Sequence, residues 1–365
     1  MIPVYQPFLF GREKEYVNEC LDTTWISSRG SFISRFEEAF AKYVGSLHAT
    51  TVCNGTVALH LAMAALGLKA GDEVIVPSLT YIATVNTVLQ TGASVVYADS
   101  LANGWNIDPE DVRKKITPKT KAVMAVHLYG LPCDMDALTA ICKEHNLLLI
   151  EDCAEAFGTL YKGRHVGTFG DAGTFSFFGN KTITTGEGGM VVMRDPAMHE
   201  RAAHLKNQGV SKTREYWHDA LAYNYRMTNI QAAIGLAQIE QAEGIIAKKR
   251  QLATWYREGL AGLPISIQPE LDDCFHTYWM CSALTETTEH RNGVRAALKV
   301  AGIETRPLFP PAHTMPHCAS DIDLPIAVKL SACGMNLPSY PALTQEQVTQ
   351  ICAVIRTYFT NQTKA

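Results

Sequence analysis

The sequence predicts an α/β protein whose large domain has a mostly parallel central sheet, followed by a smaller C-terminal α+β domain. From about residue 49, short apolar runs alternate with helical patterns, as in the βα units of a parallel sheet. After Met227 this alternation is replaced by longer helices and isolated β-like segments. At 365 residues the chain is long enough for two domains, and we place them at 1–247 and 248–365.

Each element follows from a local pattern. Short apolar or β-branched runs ended by polar or glycine turns predict the following strands: 49–53, 73–77, 94–98, 122–127, 147–150, and a pair at 174–178 and 189–192 around a loop. Helical patterns fill the gaps at 57–66, 81–90 and 134–145. In the second domain we predict a long helix from Ile230 past Lys248, which Thr228 and Asn229 can cap, a β-like segment at 278–284, and helices at 291–301 and 345–359.

Composition excludes several classes of protein. Lys and Arg number 32 against 36 Asp and Glu, a formal net charge of −4, so the chain offers no broad basic surface for nucleic acid or anionic membrane. It contains neither a bilayer-spanning apolar run nor a signal-peptide pattern at its N-terminus. Ten cysteines occur without a C-x-x-C pair, which favours reduced thiols. We therefore expect a soluble cytoplasmic protein that binds neither nucleic acid nor membrane.

The most informative segment is T-F-S-F-F-G-N-K-T-I-T-T-G-E-G-G-M, residues 174–190. Lys181 follows an aromatic strand, and Phe177 and Phe178 can desolvate its amine, lowering the pKa and favouring Schiff-base chemistry. The nearby glycines let backbone approach a ligand closely. An ordinary solvated lysine is the alternative for any isolated Lys.

A second segment, L-L-L-I-E-D-C-A-E-A-F-G at 147–158, places Asp152 at the carboxyl end of a buried strand, where open α/β sheets bind ligands. A carboxylate there can keep a pyridine nitrogen protonated, which makes pyridoxal 5′-phosphate (PLP) an effective electron sink. The alternatives are an Asp that caps the next turn, and a metal site with Glu151 and Glu155. The metal site is disfavoured because no further ligand completes a recognisable set, so we predict no metal.

A third segment, C-N-G-T-V-A-L at 53–59, joins a strand to a helix. The N–H groups of Gly55 and Thr56 at the helix N-terminus are suited to a phosphate. The glycine runs at 163–170 and 186–188 do not have the spacing or the strand–helix context of a dinucleotide-binding motif.

Together, N-G-T, E-D-C-A-E-A-F-G and F-S-F-F-G-N-K-T-I-T-T-G-E-G-G closely resemble motifs of the DegT/DnrJ/EryC1/StrS family of PLP-dependent sugar aminotransferases. The resemblance covers nearly the whole chain. It implies the aspartate aminotransferase-like fold type I, PLP as cofactor, and a homodimer with active sites shared between subunits.

The resemblance also implies roles for individual residues. Lys181 matches the lysine that carries PLP, and Asp152 the partner of its pyridine nitrogen. Tyr81 matches the aromatic residue stacked on the ring, and Glu155 a residue near the ring hydroxyl. The phosphate contacts are expected from Gly55, Thr56 and Ser176, and from Asn224 toward the cofactor of the neighbouring subunit.

Further motifs, among them T-W-I-S-S-R-G, Y-N-Y-R-M-T-N and H-T-M-P, are similar to those of members that aminate C4 of GDP-4-keto-6-deoxy-D-mannose. This likeness implies L-glutamate as the amino donor and GDP-perosamine, a building block of O-antigen lipopolysaccharide, as the product. The expected contacts to the nucleotide sugar are the following: Trp25, Ile26, Ser27, Ser28, Arg29, His313 and Thr314. For Arg29 a surface ion pair is an equally good interpretation.

Three alternatives stay open at this point. The substrate could be another keto sugar, linked to UDP or dTDP and aminated at C3 or C4. A PLP-dependent sugar dehydratase is disfavoured, because such members carry His in place of Lys181. A non-enzymatic regulator on the same scaffold is disfavoured by the presence of both Lys181 and Asp152.

Overall fold

A computed structural model describes residues 1–362 of the chain. The α-helices are α1 Glu13–Asp22, α2 Ser31–Val44, α3 Gly55–Leu66, α4 Ala83–Gln90, α5 Pro109–Lys114, α6 Met135–Glu144, α7 Pro196–Lys206, α8 Asn229–Ile239, α9 Ala242–Leu260, α10 Thr288–Val300, α11 Pro325–Cys333 and α12 Gln345–Gln362. The strands are β1 Ala49–Val52, β2 Glu73–Pro77, β3 Ser94–Ala98, β4 Thr120–Val126, β5 Leu148–Asp152, β6 Leu160–Tyr161, β7 Arg164–His165, β8 Ala172–Ser176, β9 Gly189–Met193, β10 Ile265–Ile267, β11 Cys274–Phe275, β12 Cys281–Thr285, β13 Arg306–Pro307 and β14 Gly334–Leu337.

The central sheet has seven strands in the order β1-β9-β8-β5-β4-β2-β3. Strands β3, β2, β4, β5 and β8 pair in parallel, whereas β9 is antiparallel to both of its neighbours. Alternate residues of β2 face different cores: Ile75 packs in one cluster, and Val74 and Val76 in the other. Both faces are therefore covered, as the apolar runs of these strands require, and the predicted mostly parallel sheet is confirmed.

The second sheet lies in the C-terminal part of the chain, and its strands are antiparallel in the order β10-β12-β14-β13. A small three-stranded sheet, β11-β6-β7, joins a strand of this region to two strands that precede β8. In the part of the chain that the structure describes, no helix is long and apolar enough to cross a membrane.

Two features differ from the simple sequence pattern. The long helix predicted after Thr228 is two helices, because Gln241 leaves the helical conformation at φ −112° and ψ 7° between α8 and α9. Apolar periodicity continues across this break and therefore does not reveal it. The expected boundary between residues 247 and 248 lies inside α9, so the division into two domains stays a prediction.

The first residues belong to the core of the second sheet. Ile2 forms a parallel bridge with Ile303 and packs in the same apolar cluster as β12 and β14. The Ser339 N–H donates to the Val4 carbonyl at 2.9 Å. We call residues 2–5 the N-terminal strap, since they connect the second sheet to the large domain.

Candidate functional site

The predicted cofactor residues converge on one cavity of about 480 Å³ at the carboxyl ends of the parallel strands. Asp152 is the last residue of β5, and Gly55 is the first residue of α3. Lys181 lies in the loop between the antiparallel strands β8 and β9, which we call the lysine loop, residues 177–188. The residues that line the cavity include every one of the expected cofactor contacts except Asn224: Gly55, Thr56, Tyr81, Asp152, Glu155, Ser176 and Lys181.

The Lys181 side chain is largely buried, with 13% of its surface exposed. Its Nζ lies 3.8 Å from Glu155 Oε1 and 4.0 Å from the centroid of the Trp279 ring. Burial lowers the pKa of the Lys181 amine, and the negative charges of Glu155 and Asp152 oppose this shift. A lowered pKa makes the free amine, the nucleophilic form, more available near neutral pH.

Asp152 is held in place at both oxygens. Oδ2 accepts a hydrogen bond from the Thr84 hydroxyl at 2.8 Å, and Oδ1 accepts one from the Ala154 N–H at 3.1 Å. Burial raises the pKa of Asp152, whereas these two hydrogen bonds and the neighbouring Lys181 favour the charged form. The result is an oriented carboxyl group at the floor of the cavity.

Glu155 lies between the amine and the backbone of an unusual turn. Its Oε2 accepts a hydrogen bond from the Tyr129 N–H at 2.8 Å, and Tyr129 has the left-handed φ of +58°. Burial raises the pKa of Glu155 to about 7, although the charge of Lys181 favours ionisation. With a pKa of about 7, this carboxyl group can take up or release a proton at physiological pH. Glu155 follows Asp152 by three residues in the chain.

The opposite end of the cavity is built from the first turn of α3. The Asn54 side chain caps this helix by accepting a hydrogen bond from the Val57 N–H at 3.0 Å. A Cβ atom on Gly55 would lie 2.6 Å from Ser176 Cβ, so glycine is what allows the helix to approach β8 this closely. N–H groups in a first helical turn attract anions, and Gly55 and Thr56 of this turn line the cavity together with Ser176.

Glu151 points to the other face of β5, because successive residues of a strand alternate. Its oxygens accept hydrogen bonds from the N–H groups of Gly167 at 2.7 Å and Gly170 at 2.6 Å. His127 Nε2 lies 3.2 Å from Glu151, and these two side chains lie with Cys153 within 4.8 Å of one another. Glu151 is already engaged by these two backbone amides. It therefore connects β5 to the segment that precedes β8, which is a structural role.

The expected substrate residues lie outside this cavity in the subunit described. The Ser27 carbonyl and the Ser28 hydroxyl accept hydrogen bonds from the Asn229 N–H and from Arg226, and Trp25, Ile26 and Arg29 are exposed. His313 is buried and shares a hydrogen bond with the Ser78 hydroxyl at 2.6 Å, and the Thr314 hydroxyl donates to the Pro311 carbonyl.

Asn224 also lies apart from the cavity, in the segment between α7 and α8 that we call the arm, residues 207–224. It forms an antiparallel bridge with Asn207, and a second bridge joins Val210 to His218. The arm carries large apolar side chains on its surface: Tyr216 is 97% exposed and Leu221 is 93% exposed.

Sequence reasoning missed three residues of the site. Thr84 donates a hydrogen bond to Asp152. The only indication of this in the sequence is its spacing of four residues from Thr80, whose hydroxyl it contacts at 2.9 Å. Trp279 and Phe309 line the cavity from the C-terminal part of the chain. They lie about 100 residues or more from Lys181 in sequence, so no local pattern connects them with it.

The sequence profile of the DegT/DnrJ/EryC1/StrS aminotransferase family matches residues 9–356. The chain is 56% identical to the GDP-perosamine synthase of Escherichia coli O157:H7, over 99% of both proteins. It is 53% identical to the GDP-perosamine synthase of Vibrio cholerae, over 98% of this chain and 99% of that protein. Among solved structures, it superimposes on the aminotransferase TlmJ from Streptoalloteichus hindustanus with a TM-score of 0.95 at 29% identity, over 100% of both chains.

Proposed function

The chain belongs to the DegT/DnrJ/EryC1/StrS aminotransferase family, and we propose that it transfers the amino group of L-glutamate to C4 of GDP-4-keto-6-deoxy-D-mannose, giving GDP-perosamine and 2-oxoglutarate. The observation that carries this proposal is the buried Lys181 amine beside Asp152 and Glu155, in a chain similar to GDP-perosamine synthases along its full length. The fold is that of the fold type I aminotransferases.

The cofactor is pyridoxal 5′-phosphate, and the residues of the cavity fit it. The first turn of α3 with Ser176 suits the phosphate, and the buried carboxyl of Asp152 suits the pyridine nitrogen. Glu155 and Tyr81 would hold the ring from its hydroxyl edge and its face. Lys181 would carry the cofactor through its Nζ.

When bound, this cofactor acts as an electron sink that makes the α-hydrogen of an amino acid acidic. The protein then has to move one proton, and Lys181 Nζ is the group placed to do so. Its lowered pKa leaves the amine free to accept the proton from the α-carbon of the donor, and the amine would pass this proton on within the same half-reaction. In the second half-reaction the same amine would deliver a proton to C4 of the sugar. The Trp279 ring and the walls of the cavity restrict water at that amine.

We propose GDP as the nucleotide because of the similarity to GDP-perosamine synthases, and L-glutamate as the donor on the same ground. The keto sugar would meet Trp25, Ser27, Ser28, Arg29, His313 and Thr314 once a second copy of the chain is in place. The exposed arm supports this homodimer, since large exposed apolar side chains mark a surface that another protein covers. Asn224 on the arm would then reach the phosphate of the neighbouring cofactor.

We place this biosynthetic step in the cytoplasm. All ten cysteines are free, and a reducing compartment keeps such thiols unpaired.

The decisive experiment offers the protein L-glutamate and a panel of GDP-, UDP- and dTDP-linked 4-keto-6-deoxy sugars, and detects amino sugars by mass spectrometry. We expect conversion of GDP-4-keto-6-deoxy-D-mannose. Conversion of only the UDP or dTDP sugar would overturn the assigned substrate while leaving an aminotransferase. Absence of any aminated product together with absence of bound cofactor would overturn the function itself.

A further inference from the structure

A side chain from the N-terminal strap contacts the backbone of the lysine loop. The Tyr5 hydroxyl donates a hydrogen bond to the Lys181 carbonyl oxygen at 2.5 Å. Burial raises the pKa of Tyr5, so the phenol is protonated and acts as a donor at neutral pH. The Tyr5 ring packs against both the apolar cluster beneath β2 and the cluster of the second sheet.

The strap itself is fixed by the second sheet. The Ile2 N–H donates to the Gly302 carbonyl, the Glu304 N–H donates to the Ile2 carbonyl, and both distances are 2.9 Å. The Val4 N–H donates to Glu304 Oε2 at 3.0 Å. Tyr5 is therefore held on its N-terminal side by four hydrogen bonds, counting that from the Ser339 N–H to the Val4 carbonyl.

A buried lysine strengthens this anchorage. Lys249 Nζ donates to the carbonyl and the hydroxyl of Ser339 at 2.9 and 3.2 Å, and it lies 5.3 Å from the centroid of the Tyr5 ring. Ser339 thus connects α9 with the strap. Lys249 is the titratable group beside the Tyr5 ring, and burial lowers its pKa to about 8.

The position of this contact in the lysine loop is specific. The Trp279 Nε1–H donates to the Asn180 carbonyl at 2.6 Å, and Tyr5 donates to the next carbonyl, that of Lys181. These two oxygens belong to the peptide groups on either side of the Lys181 Cα atom. Fixing both peptide planes fixes φ and ψ of Lys181, and therefore the direction in which its side chain leaves the backbone.

We propose that Tyr5 is a positioning residue for Lys181. Its hydroxyl, anchored through the strap to the second sheet, sets the backbone orientation from which the amine reaches the cofactor and the substrate. This inference rests on the proposed function, since it assigns a purpose to Tyr5 only if Lys181 carries PLP.

The test compares Tyr5→Phe with Tyr97→Phe in the cofactor-loaded protein. Tyr97 is the matched control, because it is buried and donates to a backbone carbonyl, that of Cys318, at 2.9 Å. In Tyr5→Phe we expect kcat to fall about five- to tenfold, as for loss of one buried hydrogen bond, with KM for both substrates within about twofold. Without substrate, the pH midpoint of the visible absorbance of bound PLP should move by about half a unit or more. Tyr97→Phe should change neither quantity.

Hydrogen exchange of the cofactor-free protein gives a readout independent of turnover. Amides of residues 178–186 should exchange faster in Tyr5→Phe than in the wild type or in Tyr97→Phe. If Tyr5→Phe does not fold, 3-fluorotyrosine at position 5 keeps the ring and the hydroxyl while changing the donor strength, and the midpoint should still move.

Three outcomes would overturn the positioning role: an unchanged midpoint, an unchanged kcat, or changes of equal size in Tyr97→Phe. A wild-type protein that neither binds PLP nor aminates a sugar would overturn the proposed function instead. The two failures are therefore distinguishable in the same set of measurements.

Discussion

The lysine loop joins β8 to β9, and the arm lies between α7 and α8. The two segments are stabilised in different ways. In the lysine loop, Phe177, Gly188 and residues 182–185 are buried, and hydrogen bonds from other elements engage its backbone, among them those of Trp279 and Tyr5. The arm is held by bridges within itself and by polar contacts with α7, those of Lys212 with Glu200 and of Asp219 with His204, and it presents Tyr216 and Leu221 to solvent. One subunit therefore holds the reactive amine by its own contacts, whereas the substrate site of the proposed homodimer would include a surface that a single subunit leaves exposed.

The strongest test of this difference is Lys181→Ala. We expect at least about a thousandfold loss of kcat, because the group that moves the proton is removed, together with loss of the yellow colour of the lysine-bound cofactor. Absorbance and a coupled glutamate assay measure both. Lys299→Ala, at an exposed position on α10, is the control and should behave as the wild type. Full turnover by Lys181→Ala would contradict the assignment of the amine.

The arm is tested by Leu221→Asp, which places a charge on the exposed apolar surface. We expect the homodimer to dissociate and activity to fall about ten- to a hundredfold, because a buried unpaired charge costs several kcal/mol at an interface. Sedimentation measures the mass, and the cofactor spectrum should persist in the separated subunits.

Val300→Asp is the matched control, since Val300 is 91% exposed and lies on α10, away from the arm. It should leave the assembly intact. A dimer that survives Leu221→Asp with full activity would show that the arm is not the interface.

Within the cavity, Glu155→Gln tests the buried carboxyl. In the cofactor-free protein the pKa of Glu155 is raised to about 7. At pH values between the ordinary pKa of a glutamate and this raised pKa, the folded state therefore binds more protons than the unfolded state. Stability must then decrease as pH rises through this window, and the variant should lack that decrease. We expect the variant to exceed the wild type by about 1–3 kcal/mol at pH 7.5.

Urea unfolding of both proteins at several pH values from about 5 to 8 measures this difference. Glu258→Gln, on the exposed side of α9, is the control. Parallel stability curves for wild type and Glu155→Gln would contradict a raised pKa.

The smallest expected effect concerns Thr84→Val, which removes a hydroxyl donor from Asp152 without changing the shape of the side chain. We expect affinity for PLP to fall about fivefold, the value of one net hydrogen bond. Thr87→Val removes a hydroxyl that donates within α4, to the Ala83 carbonyl, and should leave the affinity unchanged. Fluorescence titration with PLP distinguishes the two variants.

Local sequence was sufficient for the parts of the site that lie on βα units. The strand β5 that ends at Asp152, and the turn before α3 with Gly55, are formed by contiguous residues, and the sequence predicted both the strand end and the strand–turn–helix junction. The motif around Lys181 predicted a loop between two strands, which the structure has.

The remaining parts depend on residues far apart in the chain. Trp279 shares an apolar cluster with Val74 and Val76 of β2, and Phe309 and Tyr5 pack against the same cluster. Periodicity carries no information on such long-range contacts. The break between α8 and α9 could not be predicted from the apolar pattern either, because it changes the backbone conformation of Gln241 without changing that pattern.

The N-terminal strap also has a consequence for the order of synthesis. Residues 2–5 are translated well before their partners Gly302, Glu304 and Ser339, since Val4 and Glu304 are separated by 300 positions in the chain. The central sheet can assemble before then, since domains fold as units during synthesis. The anchorage of the strap needs Gly302, Glu304 and Ser339, so a nascent chain that ends before these residues contains Lys181 and Tyr5 but not the contacts that hold Tyr5 in place.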